Sequence, residues 1–126
     1  MIDIRWNKYN AKRSQGNDGY SYQSQAERDY HDDVLWPMQQ ARLISNLARQ
    51  PQVWLSEARI GYKPDFVYTE NGREVYVDVK GVETDLFKLK CKLWRCYGPA
   101  VLRVVKRDGR NWKTVKEIMP DEPEGD

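Results

Sequence analysis

The sequence predicts an α/β protein whose elements run helix, strand, hairpin, helix, strand. Three observations predict it. The Asn71-Gly72 dipeptide separates two runs rich in Val, Tyr and Phe, residues 66–70 and 73–80, a strong short-range hairpin signal. Ser24 and Glu27 make a Ser-x-x-Glu capping box, and Ala26, Tyr30 and Val34 recur at four-residue spacing. Leu86, Leu89 and Leu93, flanked by Phe87 and Trp94, recur at helical spacing until Gly98-Pro99.

In chain order, residues 1–22 read as a basic arm and a turn, the turn marked by Ser14-Gln15-Gly16-Asn17-Asp18-Gly19. A helix opens at Ser24. Pro37 fits the first turn of a second helix or a kink in the first, and Met38, Ala41, Leu43 or Ile44, and Leu47 or Ala48 carry a helical stripe to about Arg49. Residues 52–55 make a short strand and the hairpin follows. Glu83 or Thr84 opens the next helix, on which Lys88, Lys92 and Arg95 share the outer side. Residues 101–106 read as a buried strand and the acidic end, 120–126, as disordered, so the folded domain is expected over residues 23–119.

A chain of 126 residues can build one core, and 32% charged with 40% apolar residues is a globular balance. No run nears the roughly 18 apolar residues of a membrane span, and MIDIRWNKYNAKR lacks the apolar segment of a leader. A soluble cytoplasmic protein with no membrane partner is therefore expected. Cys91 and Cys96 match no zinc or redox spacing and read as packing residues. The net charge of +2 conceals a division: residues 80–118 carry eleven Lys/Arg against four acids, whereas residues 14–79 carry six against ten. That division suits either a polyanion approached from one side or a solvated basic helix and strand. The single histidine, His31, reads as a helix-surface residue beside Asp32 and Asp33, and argues against His-based nuclease chemistry or a His-containing triad.

The hairpin segregates its charges. A two-residue loop at Asn71-Gly72 pairs Glu70 with Arg73, Thr69 with Glu74, Tyr68 with Val75, Val67 with Tyr76, Phe66 with Val77, and then Asp65 with Asp78. Asp65, Asp78 and Lys80 share one face; Phe66, Tyr68, Val75, Val77 and Val79 share the other. Opposed carboxylates repel, so the pair must share a proton or find a cation. Mg²⁺, held by one or two carboxylates plus water and phosphate, suits it. The alternative is an edge hairpin with two solvated aspartates and an incidental lysine.

Pro64-Asp65, a spacer of twelve residues and Asp78-x-Lys80 together resemble the PD-(D/E)xK signature of the restriction-endonuclease-like nucleases. The element order is similar to the αβββαβ core of that superfamily, a mixed central sheet flanked by helices. "NKYNAKR", "YSYQSQAERDY", "PDFVY", "VYVDVKG" and "KLKCKLW" resemble, in order and spacing, short phage and prophage endonucleases of the Holliday-junction-resolvase kind, over residues 6–107. The resemblance implies a Mg²⁺- or Mn²⁺-dependent endonuclease acting on DNA, branched DNA included. It implies Asp65 and Asp78 as metal ligands, the backbone carbonyl of Val79 completing the shell, and Lys80 at the attacking water or scissile phosphate. Glu27 would be a further metal or water ligand, although the capping box already accounts for it. Asp at position 78, where many relatives have Glu, puts the metal preference in doubt. Lys88, Lys90, Lys92 and Arg95, with Lys8, Lys12 and Arg13 before the first helix, are the candidates for phosphate contacts. Relatives that cut two strands symmetrically are dimers, which makes a homodimer the expected assembly. The rival readings are a nuclease-fold module that binds nucleic acid without cutting it, and a protein-interaction module whose basic helix meets an acidic partner.

Overall fold

The capping box forms. Ser24 Oγ accepts the Glu27 N–H at 3.1 Å, Glu27 Oε2 accepts the Ser24 N–H at 3.1 Å, and helix α1 (Gln25–Tyr30) follows. The computed structural model describes residues 14–121; the arm with Lys8, Lys12 and Arg13, and the tail beyond residue 121, lie outside the described residues. The chain divides into two compact units, Met1–Ile44 and Ser45–Asp126. Among the described residues no helix is long and apolar enough to cross a membrane.

In the first unit, β1 (Ser14–Gln15) and β2 (Ser21–Tyr22) pair around the expected turn. A π-helical turn, His31–Leu35, joins α1 to α2 (Trp36–Gln40), with the Trp36 N–H reaching the His31 carbonyl. The wider turn accommodates Pro37, which has no N–H to give and whose ring would press on a carbonyl one turn back. The result is one continuous helix rather than two. Its buried residues are Glu27, Tyr30, His31 and Leu35, while Ala26 is exposed.

His31 is therefore not the surface residue expected from its acidic neighbours. It is fully buried, with Nδ1 2.8 Å from Asp32 Oδ1 and Nε2 3.6 Å from Asp18 Oδ2. Its ring packs against Tyr22 and Trp36 at centroid distances of 5.3 and 5.9 Å. The helix also ends earlier than its apolar spacing suggests. Arg42 adopts a left-handed φ of 60° just past α2, Ala41 to Ile44 lie outside any helix or strand, and Leu47 and Ala48 of the expected stripe fall in strand β3 (Ser45–Arg49).

The second unit contains β3, β4 (Val53–Trp54), β5 (Gly61–Tyr62), β6 (Phe66–Glu70), β7 (Arg73–Val79), α3 (Asp85–Tyr97), β8 (Val101–Asp108) and β9 (Asn111–Ile118). A five-stranded mixed sheet has the order β3-β6-β7-β8-β9, antiparallel except for β7 and β8, whose parallel pairing requires the α3 crossover. Every predicted pair from Glu70–Arg73 to Phe66–Val77 forms, with Asn71 and Gly72 at φ 52° and 76°. Positive φ at both loop residues is the type I′ geometry that Asn-Gly favours. The hairpin is not at an edge, because β7 is the middle strand. Beyond the expected elements, β9 folds back on β8 across Gly109-Arg110, with Gly109 at φ 62°.

Helix α3, capped by Thr84 Oγ1 accepting the Phe87 N–H at 3.1 Å, buries Phe87, Cys91 and Trp94 against Tyr76, Leu102, Val104 and Ile118. Leu86 and Leu89, expected to face inward, are exposed, and Leu93 is half-buried. The buried stripe lies one position round from the leucines because an indole and a phenyl ring remove more apolar surface from water than they do. Trp94 stands edge-on to Tyr76 at 5.2 Å and its Nε1 donates to the Ala100 carbonyl at 2.8 Å. Gly98 lies directly against this indole, and a Cβ there would sit 2.5 Å from Trp94 Nε1. Its φ of −64° is ordinary, so the constraint is steric. Gly98→Ala is expected to cost about 1–3 kcal/mol through overpacking, seen as a lower urea midpoint at constant m value. An unchanged midpoint would show that the indole is not held there.

Candidate functional site

Tyr76, Asp78 and Lys80 alternate along β7 toward the face that α3 covers, with Val67 packed on the same side across the hairpin. The opposite face carries Phe66, Tyr68, Val75 and Val77, all buried. Asp78 thus lies in a core, at 3% exposure, and not on a solvated surface. A carboxylate removed from water needs compensation. Asp78 Oδ2 accepts a hydrogen bond from the Tyr62 hydroxyl, and Oδ1 lies 3.2 Å from Lys80 Nζ. Lys80 is fixed in turn: its N–H donates to the Val105 carbonyl at 2.9 Å and its ammonium sits 4.4 Å from the centroid of the Phe87 ring.

Asp65 departs from the expected pairing. The registered ladder stops at Phe66–Val77, one step short. The Asp65 N–H donates to the Val77 carbonyl at 2.9 Å, and its carboxylate replaces a backbone partner by accepting the Val79 N–H through Oδ2 at 2.7 Å. Its side chain is thereby anchored to the strand that bears Asp78. Both carboxylates bear on the Tyr62 phenol. Burial first, then the charge and hydrogen bond of Asp78, then the charge of Asp65, hold this phenol far above the ordinary tyrosine value of 10.0. Tyr62 is therefore a permanent donor beside two acids.

Nothing in the sequence singles out Tyr62. Its position depends on the two-stranded β4–β5 sheet, where Val53 pairs with Tyr62, and on its edge-on contact with Trp94 at 5.9 Å. Lys90, expected to meet phosphate, instead donates to the Gly61 carbonyl and lies 5.8 Å from the Tyr62 ring centroid. Lys88, Lys92 and Arg95 are exposed. Glu27 belongs to the first unit, where it closes the cap of α1. Among the described residues no group of three or more His, Cys, Asp or Glu gathers in metal-binding geometry.

The residues present nonetheless fit a hard divalent ion of the Mg²⁺ or Mn²⁺ kind, which takes one or two carboxylates and fills its shell with water and substrate. The donors available are the carboxylates of Asp65 and Asp78 and the carbonyl of Val79. In a strand a residue's N–H and C=O point to the same side, so the Val79 carbonyl points to the side on which Asp65 accepts its N–H. Each carboxylate oxygen has two lone pairs, so Lys80 and Tyr62 can orient Asp78 without using up its capacity as a ligand.

The family described as a protein of unknown function, DUF1064, matches residues 6–107, a span that contains every residue of this site. The chain belongs to the DUF1064 family. No curated protein and no solved structure matches it.

In this DUF1064 chain the Tyr62 proton is linked to stability. A phenol that binds its proton more tightly folded than unfolded stabilises fully below the unfolded value of 10.0, and this contribution is lost as the pH rises above it. Tyr68 and Tyr76, also raised chiefly by burial, act in the same direction. Tyr62→Phe is expected to cost about 1–3 kcal/mol at neutral pH by stripping Asp78 of a donor. It should also flatten the decline of stability above pH 10 by up to about 1.4 kcal/mol per pH unit. Urea unfolding from pH 7 to 11 measures both, and identical alkaline slopes for parent and variant would show that neither burial nor the acids hold the phenol above its ordinary value.

Proposed function

We propose that this chain is a metal-dependent endonuclease of the PD-(D/E)xK kind that hydrolyses DNA phosphodiester bonds. The observation that carries the reading is the buried Asp78 carboxylate with Lys80 Nζ 3.2 Å away and Asp65 anchored beside it, on the central hairpin of a mixed sheet. A core rarely retains a carboxylate with a half-buried lysine and a second, half-buried carboxylate at its edge without a use for them.

A bound divalent ion supplies charge to the phosphoryl oxygen and lowers the pKa of a coordinated water. Asp65, Asp78 and the Val79 carbonyl would hold it. Tyr62 fixes the rotamer of Asp78. Lys80, steadied over Phe87, places its ammonium where negative charge develops on the phosphoryl oxygens in the transition state. No side chain need act as a covalent nucleophile.

One observation favours a second reading, binding of nucleic acid without cleavage: both Asp78 oxygens already have partners, in Lys80 and Tyr62. Cleavage separates the two. Purified protein should cut branched, duplex or single-stranded DNA in Mg²⁺ or Mn²⁺ and not in EDTA, and Asp78→Asn and Lys80→Ala should each lower the rate by about 10²-fold or more. A parent that binds all three DNAs and cuts none would establish the second reading. Variants that cut as fast as the parent would remove Asp78 and Lys80 from the mechanism.

A further inference from the structure

Two ammonium groups lie against the Phe87 ring, Lys80 Nζ at 4.4 Å and Lys116 Nζ at 5.7 Å from its centroid. Lys80 belongs to the acid site. Lys116, on β9, lines a groove of about 390 Å³ with Lys88, Lys92 and Arg95 of α3, over the buried side chains of Cys91 and Ile118. Four cations and no acid line this groove. Exposed Glu83 pairs with Lys116 and is held below the usual carboxylate range by it, and Asp121 meets the far end of α3, its N–H donating to the Arg95 carbonyl at 2.7 Å. Lys88, Lys92 and Arg95 follow at intervals of four and three residues, which sets them in a row about 10 Å long on one helix flank. That is the rise of about three nucleotides of a duplex strand. Lys90, on the other flank and engaged with Gly61, is outside the row.

We propose that the groove between α3 and β9 takes the sugar-phosphate backbone of a nucleic acid and leads it past Phe87 to Lys80. The proposal rests on the nuclease reading, and adds to it the surface by which the phosphodiester arrives. A regular row of cations on α3, with Lys116 against the same ring as Lys80, matches a ligand whose charge repeats at a fixed interval. The contacts are to phosphate, so the groove binds without selecting sequence.

Fluorescence anisotropy with labelled duplex and single-stranded DNA in EDTA, between 50 and 200 mM salt, isolates binding from cleavage. Lys92→Gln/Arg95→Gln should weaken binding about tenfold or more and reduce the salt slope by about two, as expected for two lost phosphate contacts. A control pair with the same charge loss at exposed positions away from the groove, Arg73→Gln at the start of β7 and Arg110→Gln in the β8–β9 turn, should stay within about twofold of the parent. Equal losses in both pairs would overturn the groove while leaving metal-dependent cleavage by the parent, and so the nuclease reading, intact. Poly-glutamate competing as well as DNA for the parent but not for the groove pair would make the surface a site for acidic protein and overturn the proposal. A parent that neither binds nor cuts DNA would remove both readings together.

Discussion

The two-residue turn at Asn71-Gly72 is the constraint on which the rest of the second unit depends. Positive φ at both positions admits one hairpin geometry, and side chains alternate with a period of two, so a slip of one residue would exchange the faces of β7. With the register held, Phe66, Tyr68, Val75 and Val77 are committed to one face, and Asp78 to the face that α3 must cover. A carboxylate is then inside a core by construction. The surrounding architecture reads as a response to that fact: β4–β5 brings a phenol to it, β7 returns a lysine two residues later, and Lys90 braces the loop that carries the phenol.

Phe87 links packing to chemistry. Its place in the core is set by α3, whose phase puts Phe87, Cys91 and Trp94 inward and leaves Leu86 and Leu89 outside. That phase also turns an aromatic ring toward Lys80 and Lys116. An ammonium is attracted to the face of a ring and loses conformational freedom there. The same rotation that looks like a poor choice of apolar stripe is what steadies the lysine beside Asp78.

What could be read from the sequence was local, and what could not was decided at a distance. The hairpin pairs follow from one dipeptide and a period of two, and the Ser24–Glu27 cap from two side chains within one turn. The reading failed at Asp65 because the ladder ends there, and a side chain can take the backbone's place once regular pairing stops. It fails after Gln40 because the spacing of Leu43, Ile44, Leu47 and Ala48 is helical, whereas pairing with β6 takes the chain from Ser45 into a strand. His31 is misplaced because the expected stripe runs through Ala26, Tyr30 and Val34, whereas the buried face runs through Glu27, Tyr30, His31 and Leu35. Strand β9 is announced by Asp108-Gly109, a weaker signal than Asn-Gly between valines, and the register shift opposite Val104 and Val105 interrupts its alternation. Tyr62 had no local signal, since its role exists only once Asp78 is buried beside it.

The acid site and the basic groove stand on different parts of the chain. The family match ends at residue 107, inside β8, after Asp65, Asp78, Lys80 and the whole of α3 but before β9. One wall of the groove therefore comes from the matched segment, and the other, with Lys116 and Ile118, from outside it. A chemical reading of the Asp65–Asp78–Lys80 cluster can be put to any chain of the family that carries those residues. The groove has to be argued from this chain's own β9. Lys116 is the residue that joins them, because its ammonium shares the Phe87 ring with Lys80 while its strand lies beyond the matched segment.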